Sequence, residues 1–425
     1  MQLPFLFIYT GGASLHTAHN SSKCEDQQAE TSPAMPPCDP LPGSLTFLTS
    51  GGLGNQYYGL QIAAWLAIAL RRGTLVVPPI LRHFKLGGPA GRGCESVDAA
   101  AAADGSQREH ATRAQQIWLD MERRGVADSW GLLLDFGWLG PRLRLIDAAE
   151  YRRGAPKARV AFHHCGRLAS GWKLDRFQVA LAAPSAAEIS VGATFNNIDT
   201  DALTLCEFTA SCERAVAARA LRWRLAPSLK RETRLALRRA LGAGAETRMH
   251  AVHIRSGYGE TKGAAWTDHV AATVRPLRAA LARSRVGRPL VYVAADVPWD
   301  ALMGAHVDGV ADLCARARCV DSGALFGRST GAWASWAKAQ GFRDTEVARM
   351  AFDVAACALA ATFWASTLRA SSFSRLVQDV RRGEGRSPVA NASAAVRLVG
   401  TLPRCENGCR RTRANNNCSA GRRDY

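Results

Sequence analysis

The sequence predicts an α/β protein with two doubly wound lobes, and two stretches carry that prediction. Residues 45–79 read as strand, glycine turn, helix and strand, and the same alternation restarts at Met249. At 425 residues the chain exceeds the length at which a single hydrophobic core usually stops growing, so two lobes are expected. A composition of 47% hydrophobic and 21% charged residues has the balance of a folded globular chain and excludes a largely disordered one.

Taken in order, residues 1–43 are rich in Ser, Thr and Pro and are expected to form a flexible N-terminal stem or leader. Their apolar start, residues 3–9, is far shorter than the ~18 residues of a spanning helix. An N-terminal lobe is expected over 44–242. It opens with a strand at 45–49 that runs into Ser50-Gly51-Gly52-Leu53-Gly54-Asn55, and then a helix with Leu60, Ala63, Ala64, Ala67 and Ile68 at helical spacing. Arg71-Arg72-Gly73 is read as the end of that helix, and Thr74-Leu75-Val76-Val77 as a buried strand closed by Pro78-Pro79. Residues 87–115 have no useful period and read as an insertion loop. Apolar segments alternate between 117 and 224, among them 143–146, without revealing a pairing order. A basic helix over 229–241 is stopped by Gly242 and Gly244. The C-terminal lobe, 243–385, supplies a strand at 249–254, a helix around 269–284, a strand at 290–294 and a helix around 346–361. Residues 386–425 form a basic tail with Cys405, Cys409 and Cys418.

A formal net charge of +18 suits nucleic acid, an anionic membrane or a small phosphorylated substrate. Much of that charge is Arg spread through Ala-rich helical stretches such as 231–239, and no basic run carries the interleaved aromatics of a base-stacking platform, so nucleic acid is not the expected partner. Twelve cysteines, with Cys206/Cys212, Cys314/Cys319 and Cys405/Cys409 at loop-closing spacings, favour a disulfide-permissive compartment. No Cys-x-x-Cys occurs, and His163 and His164 near Cys165 lack a second close ligand pair, so a structural metal is the minor reading. Sequons at Asn20, Asn391 and Asn417 agree with a secretory route.

Three segments carry chemistry. Gly51-Gly52-Leu53-Gly54-Asn55-Gln56 lies between a strand and a helix, where glycines admit a phosphate to the backbone and the helix start supplies free N–H groups. The glycines alone fit an ordinary βα turn equally well, and the turn is neither a Gly-x-Gly-x-x-Gly fingerprint nor a Walker loop. Ala251-Val252-His253-Ile254-Arg255-Ser256-Gly257 ends a strand, so His253 and Arg255 project from one face while Ile254 packs behind. Asp353, Phe363, Ser371-Ser372-Phe373-Ser374 and Arg381 form the third group, whose serines suit phosphate or a plain helix cap.

In that order the segments resemble the protein O-fucosyltransferase family, whose hallmarks are a Gly-x-Gly-Asn-Gln turn, a His-x-Arg after a strand and a late Ser-Ser-Phe. The likeness is greatest to the Notch-type enzymes, over Gly52-Leu53-Gly54-Asn55-Gln56 and Thr74-Leu75-Val76-Val77-Pro78-Pro79, with Tyr292-Val293-Ala294-Ala295-Asp296 also similar. The resemblance implies the GT-B fold, two Rossmann-like lobes facing across a cleft, with the acceptor on the N-terminal side and GDP-fucose held mainly by the C-terminal lobe.

Carried over residue by residue, the resemblance implies that Gly52, Leu53, Gly54 and Asn55 line the sugar and phosphate. His253, Ile254 and Arg255 would meet the diphosphate, Asp353 the nucleoside, and Ser372 with Phe373 the phosphate and base. Arg255 and Asn55 are the expected catalytic residues. The implied activity is metal-independent transfer of fucose to a Ser or Thr hydroxyl of a protein, in the lumen of the endoplasmic reticulum or Golgi. No cofactor is expected beyond the donor, and any association with the secretory membrane is expected to be peripheral or through the stem. Asp199-Thr200-Asp201 has the Asp-x-Asp form of metal-dependent glycosyltransferases and is read as incidental. Two alternatives stay open: a glycan fucosyltransferase of the α1,2 or α1,6 type, against which Ser256 and Tyr258 argue, and a nucleotide-sugar-binding protein without turnover.

Overall fold

Strand β1 (Leu41–Leu48) lies at the centre of a sheet that, among the described residues, has five strands. The computed structural model describes residues 41–48, 52–69, 72–82, 127–136, 143–147, 160–164, 188–193, 223–255, 264–283, 287–297, 299–304, 309–327, 330–366, 371–387 and 389–390. These all fall within one compact unit, Cys38–Tyr425. The sheet adds β2 (Arg72–Val77), β4 (Arg144–Asp147), β5 (Val160–His164) and β6 (Glu188–Ala193) in the order β4-β2-β1-β6-β5, every pair parallel. A short antiparallel pair, β3 (Leu134–Asp135) with β7 (Arg224–Leu225), stands apart from it.

The predicted strand-turn-helix-strand opening is present, with two differences. β1 starts earlier than expected, because Leu41 pairs with Arg72 and Ser44 with Thr74, so three steps on one strand face two on the other. Gly43, at φ 114°, takes the left-handed backbone of this bulge that a residue with a Cβ resists. Arg72 does not end the preceding helix. It is the first residue of β2 and is fully buried there.

Helix α1 (Leu53–Ala69) is apolar on nearly every side, which suits a helix covered all round. Leu53, Tyr57, Leu60, Ala63, Ala64 and Ala67 are buried in it. It packs against β1 and β2 and against the last helix of the fold, α10 (Ser372–Gly383). The basic helix appears as α2 (Pro227–Leu241), with proline at its first turn and Gly242 as C-cap, followed by the single turn α3 (Ala245–Arg248).

A second parallel sheet has the order β10-β9-β8-β11, from β8 (Met249–Ile254), β9 (Leu290–Ala295), β10 (Arg318–Val320) and β11 (Thr362–Trp364). Its strands read as continuous apolar runs because helices cover both faces. Met249, Ala251, Tyr292, Ala294 and Phe363 point to one core, while Val252, Ile254, Val291, Val293 and Trp364 point to another. The crossovers are α4 (Ala264–Ala282), α5 (Trp299–Gly304), α6 (Val310–Arg316), α7 (Ser322–Phe326), α8 (Thr330–Ala339) and α9 (Thr345–Leu359). Cys314 and Cys319 form one of the predicted disulfides, joining α6 to β10 across a Cα separation of 5.2 Å. The other two predicted pairs, residues 1–40 and 391–425, Asp199 and Asp201 lie outside the described residues. Among the described residues no helix is long and apolar enough to cross a membrane.

Candidate functional site

Both sheets reverse their winding beside a central strand, and open parallel sheets present a crevice at the carboxyl ends of their strands where this happens. In the first sheet the reversal lies between β1 and β6, so β1 delivers its chain into the Gly52 turn and α1. In the second it lies between β8 and β11, so β8 delivers His253 and Arg255 while β11 leads to Ser371 and α10.

Gly54 shows how closely these two ends meet. A Cβ built on it would lie 2.4 Å from the Ser372 carbonyl carbon, 2.5 Å from the Phe373 amide nitrogen and 2.7 Å from Ser372 Oγ. Only a residue without a side chain lets the start of α1 touch the start of α10. The turn is closed by Asn55 and Gln56 N–H groups donating to the Gly52 carbonyl at 2.9 and 3.0 Å. Gln56 then anchors it to the end of β2: Nε2 donates to the Leu81 carbonyl at 2.8 Å and Oε1 accepts the Leu81 N–H at 3.0 Å. Asn55 is half-buried, Gly52 is partly exposed, and the Leu53 side chain is buried in the core.

The start of α10 is a serine cap, as its sequence predicted. Ser371 Oγ accepts the Ser374 N–H at 3.4 Å, and His253 Nδ1 lies 2.8 Å from Ser374 Oγ and 3.3 Å from Ser371 Oγ. Ser374 Oγ also accepts the Ser366 N–H at 3.2 Å, and the tautomer of the ring sets which way the His253–Ser374 bond runs. Burial, and then the neighbouring charge of Arg255, holds His253 well below its ordinary value, at about 3. The ring is therefore neutral at physiological pH. Phe373 packs on it at 4.6 Å between ring centroids.

The structure thus brings Gly52, Gly54, His253, Arg255, Ser372 and Phe373 into one neighbourhood, with two helix starts aimed into it. Helix starts carry unpaired N–H groups and partial positive charge, and with a guanidinium beside them they suit a diphosphate. Ile254 is different: its side chain is fully buried in the opposite core, leaving only its backbone to face a ligand. Asp353 is not joined to this cluster. It sits on α9 below the same sheet face, where the Tyr292 hydroxyl donates to Oδ1 at 2.5 Å, and Tyr292 is two residues behind the Ala294 that pairs with His253. Enclosure raises its carboxyl to about 7 despite hydrogen bonds from Tyr292 and Ser322. Phe363 fills the core, and Arg381 caps the end of α9 through the carbonyls of Cys357, Ala358, Ala360 and Ala361.

Sequence reading missed the polar layer that holds α1 against α10. Gln61 Nε2 donates to Asp379 Oδ2 at 2.7 Å and to the Tyr57 hydroxyl at 2.6 Å. Arg382 meets Asp379 Oδ1 at 2.7 Å, and Arg375 lies 3.6 Å from Oδ2 while its guanidinium stacks 4.6 Å over Tyr58. The spacing of Arg375 and Asp379, four apart on a helix, was the available signal. Among the described residues no cluster of three or more His, Cys, Asp or Glu could hold a metal ion.

No family model and no curated protein matches the chain. Among solved structures it is similar to POFUT1, a protein O-fucosyltransferase, in its apo form, with TM-score 0.44 and 12% identity over 81% of this chain and 96% of that one. Two structures of POFUT1 in complex with GDP give TM-scores of 0.41, one with 14% identity over 83% and 99% of the two chains and the other with 13% over 82% and 97%. Each is a low-scoring likeness of fold that spans most of both chains.

Proposed function

We propose that this chain transfers fucose from GDP-fucose to a Ser or Thr hydroxyl of a protein acceptor, as a GT-B glycosyltransferase that needs no metal ion. The observation that carries the reading is the seat of Gly54 on Ser372 and Phe373, which, with His253 against Ser374 and Phe373, joins the three segments of the family resemblance. In this reading the two parallel sheets are the two halves of the enzyme, and the donor lies across their carboxyl ends.

Leaving-group charge is the central demand of the reaction. As the anomeric C–O bond breaks, negative charge grows on the diphosphate while the sugar becomes cation-like. Arg255 and the N–H groups at the start of α10 are preorganised donors for that charge, with neutral His253 beside them. A guanidinium fork engages two oxygens at once and takes the part a divalent ion plays elsewhere. Asn55 orients the reacting groups. Asp353, whose carboxyl accepts from the Tyr292 hydroxyl on the same sheet face, is left to the nucleoside and takes no part in stabilising the leaving group. The Cys314–Cys319 disulfide supports assignment to the lumen of the endoplasmic reticulum or Golgi.

The test is GDP release from GDP-fucose with folded cysteine-rich domains as acceptors, in excess EDTA, with product followed by mass spectrometry. Glycosylated acceptor formed at an undiminished rate in EDTA is the expected result. Turnover that stops in EDTA and returns with manganese would overturn the metal-free scheme. Calorimetric binding of UDP-sugars in preference to GDP-fucose would overturn the donor assignment.

A further inference from the structure

Away from this crevice, α2 carries a row of cations that the proposed reaction does not use. Arg231, Arg234 and Arg238 recur at helical spacing on one side of the helix, and with Lys230 they line a cavity of about 430 Å³ whose far wall is the Ala243-Gly244 turn. Glu246 is the one carboxylate in that lining among the described residues. Lys230 is paired with Glu384, and Arg231 with its neighbour Glu232 at 3.0 Å in an exposed pair that water screens. Arg234 and Arg238 are exposed and have no acidic partner among the described residues.

We propose that this groove binds a linear anionic polysaccharide through its sulfate or phosphate esters. The row from Arg231 to Arg238 extends roughly 10 Å along the helix at 1.5 Å per residue, which suits successive oxyanions on one chain better than a single ion. Guanidinium forks match tetrahedral oxyanions in two-point contacts. The groove is concave and of the size that holds a small ligand segment. Among the described residues its lining has no aromatic side chain, and so offers no stacking surface of the kind a single-strand nucleic-acid site uses. Its apolar members, Pro227, Leu235 and Ala243, include no bulky anchor of the kind that inserts into a bilayer.

Calorimetry on the full chain at physiological salt tests this, with a heparin-derived tetrasaccharide as probe. Arg234→Glu/Arg238→Glu should weaken binding by about tenfold or more, while Arg283→Glu/Arg288→Glu, the same charge change at two exposed sites elsewhere, should leave it near wild type. Should the reversed pair disturb folding by circular dichroism, Arg234→Gln/Arg238→Gln removes the charge alone and should still weaken the tetrasaccharide. Equal loss in the control variant, or no binding by the wild type, overturns the groove. Tighter binding of a thymidine oligonucleotide or of phosphatidylserine vesicles, lost with the same two arginines, overturns the polysaccharide assignment.

Discussion

Arg255 and His253 sit side by side with different duties, and the difference is testable one residue at a time. Arg255 carries the charge that matters most when the diphosphate departs, so Arg255→Ala should lower kcat by ~10²–10³ while GDP binding weakens far less. Arg255→Lys should recover little, since a point charge on a flexible stem does not reproduce the fork. Near wild-type turnover by a folded Arg255→Ala variant would remove this residue from the reaction. His253 and Asp353 make opposite contributions to stability against pH. His253 stays neutral in the fold down to about 3 against an ordinary 6.5, so the unfolded chain binds the extra proton between those values and stability falls as pH drops through them. Asp353 is protonated in the fold up to about 7 against an ordinary 3.8, so the folded chain binds the extra proton and stability falls as pH rises through that window. The two trends offset each other between about 4 and 6.5. Asp353→Asn removes one of them, and urea unfolding of that variant should show a steeper loss on acidification than the wild type. Parallel curves for the two proteins would mean that Asp353 is an ordinary carboxylate.

Helix α10 shows what can and cannot be read from sequence at the scale of one element. Arg375, Gln378, Asp379 and Arg381 are polar or charged, yet all four are buried. Asp379 is held by Gln61, Arg375 and Arg382, and Arg381 by the carbonyls that end α9. Only the spacing of Arg375, Asp379 and Arg382 along the helix is local; Gln61 and the carbonyls that end α9 lie far off in sequence, so periodicity carries no trace of them. By contrast β8, β9 and α9 fall within a residue or two of their expected bounds, because apolar runs and an aspartate cap mark them locally. The Gly54, His253 and Ser372 segments were legible as motifs, but their contact was not, and neither was the order of the parallel strands, since both depend on nonlocal pairing. Two substitutions on α10 should act in opposite directions. Asp379→Ala leaves Arg375 without its carboxylate in a closed site, and should cost about 3–5 kcal/mol in urea unfolding. Gln378 is fully buried with neither amide atom hydrogen-bonded, so Gln378→Met, of similar length and without polar atoms, should gain about 1–3 kcal/mol. A loss on that substitution would mean that the amide has a partner in solution.

The two halves expected to meet near residue 242 share, among the described residues, their largest core across both sheets. Leu45, Phe47, Leu75 and Val77 of the first sheet belong to the same buried cluster as Met249, Ala251, Tyr292 and Phe363 of the second. Helices α1 and α10 lie inside it, and their join spans the chain, with Tyr57 donating to Asp379 across 322 positions. A second tie runs through Asp128, whose backbone pairs with Ile80 just after β2 while its carboxylate accepts the Arg343 and Asp344 N–H groups at 2.7 and 3.2 Å. Asp344 in turn caps α9 through the Glu346 N–H and pairs with Arg82. Burial of this kind makes each sheet's stability conditional on the other, because opening the α1–α10 contact would expose apolar surface on both sides and strand the charges between them. The molecule should therefore unfold as one unit. Calorimetry should give a single endotherm whose van't Hoff and calorimetric enthalpies agree, and Asp379→Ala should move the whole transition to lower temperature without splitting it. Hydrogen exchange supplies the decisive comparison, since β1 in the first sheet and β8 in the second should lose protection together as urea rises. Protection that persists in β8 after β1 has exchanged, with two resolved endotherms, would show two independently stable lobes and reduce the shared core to a contact surface between them.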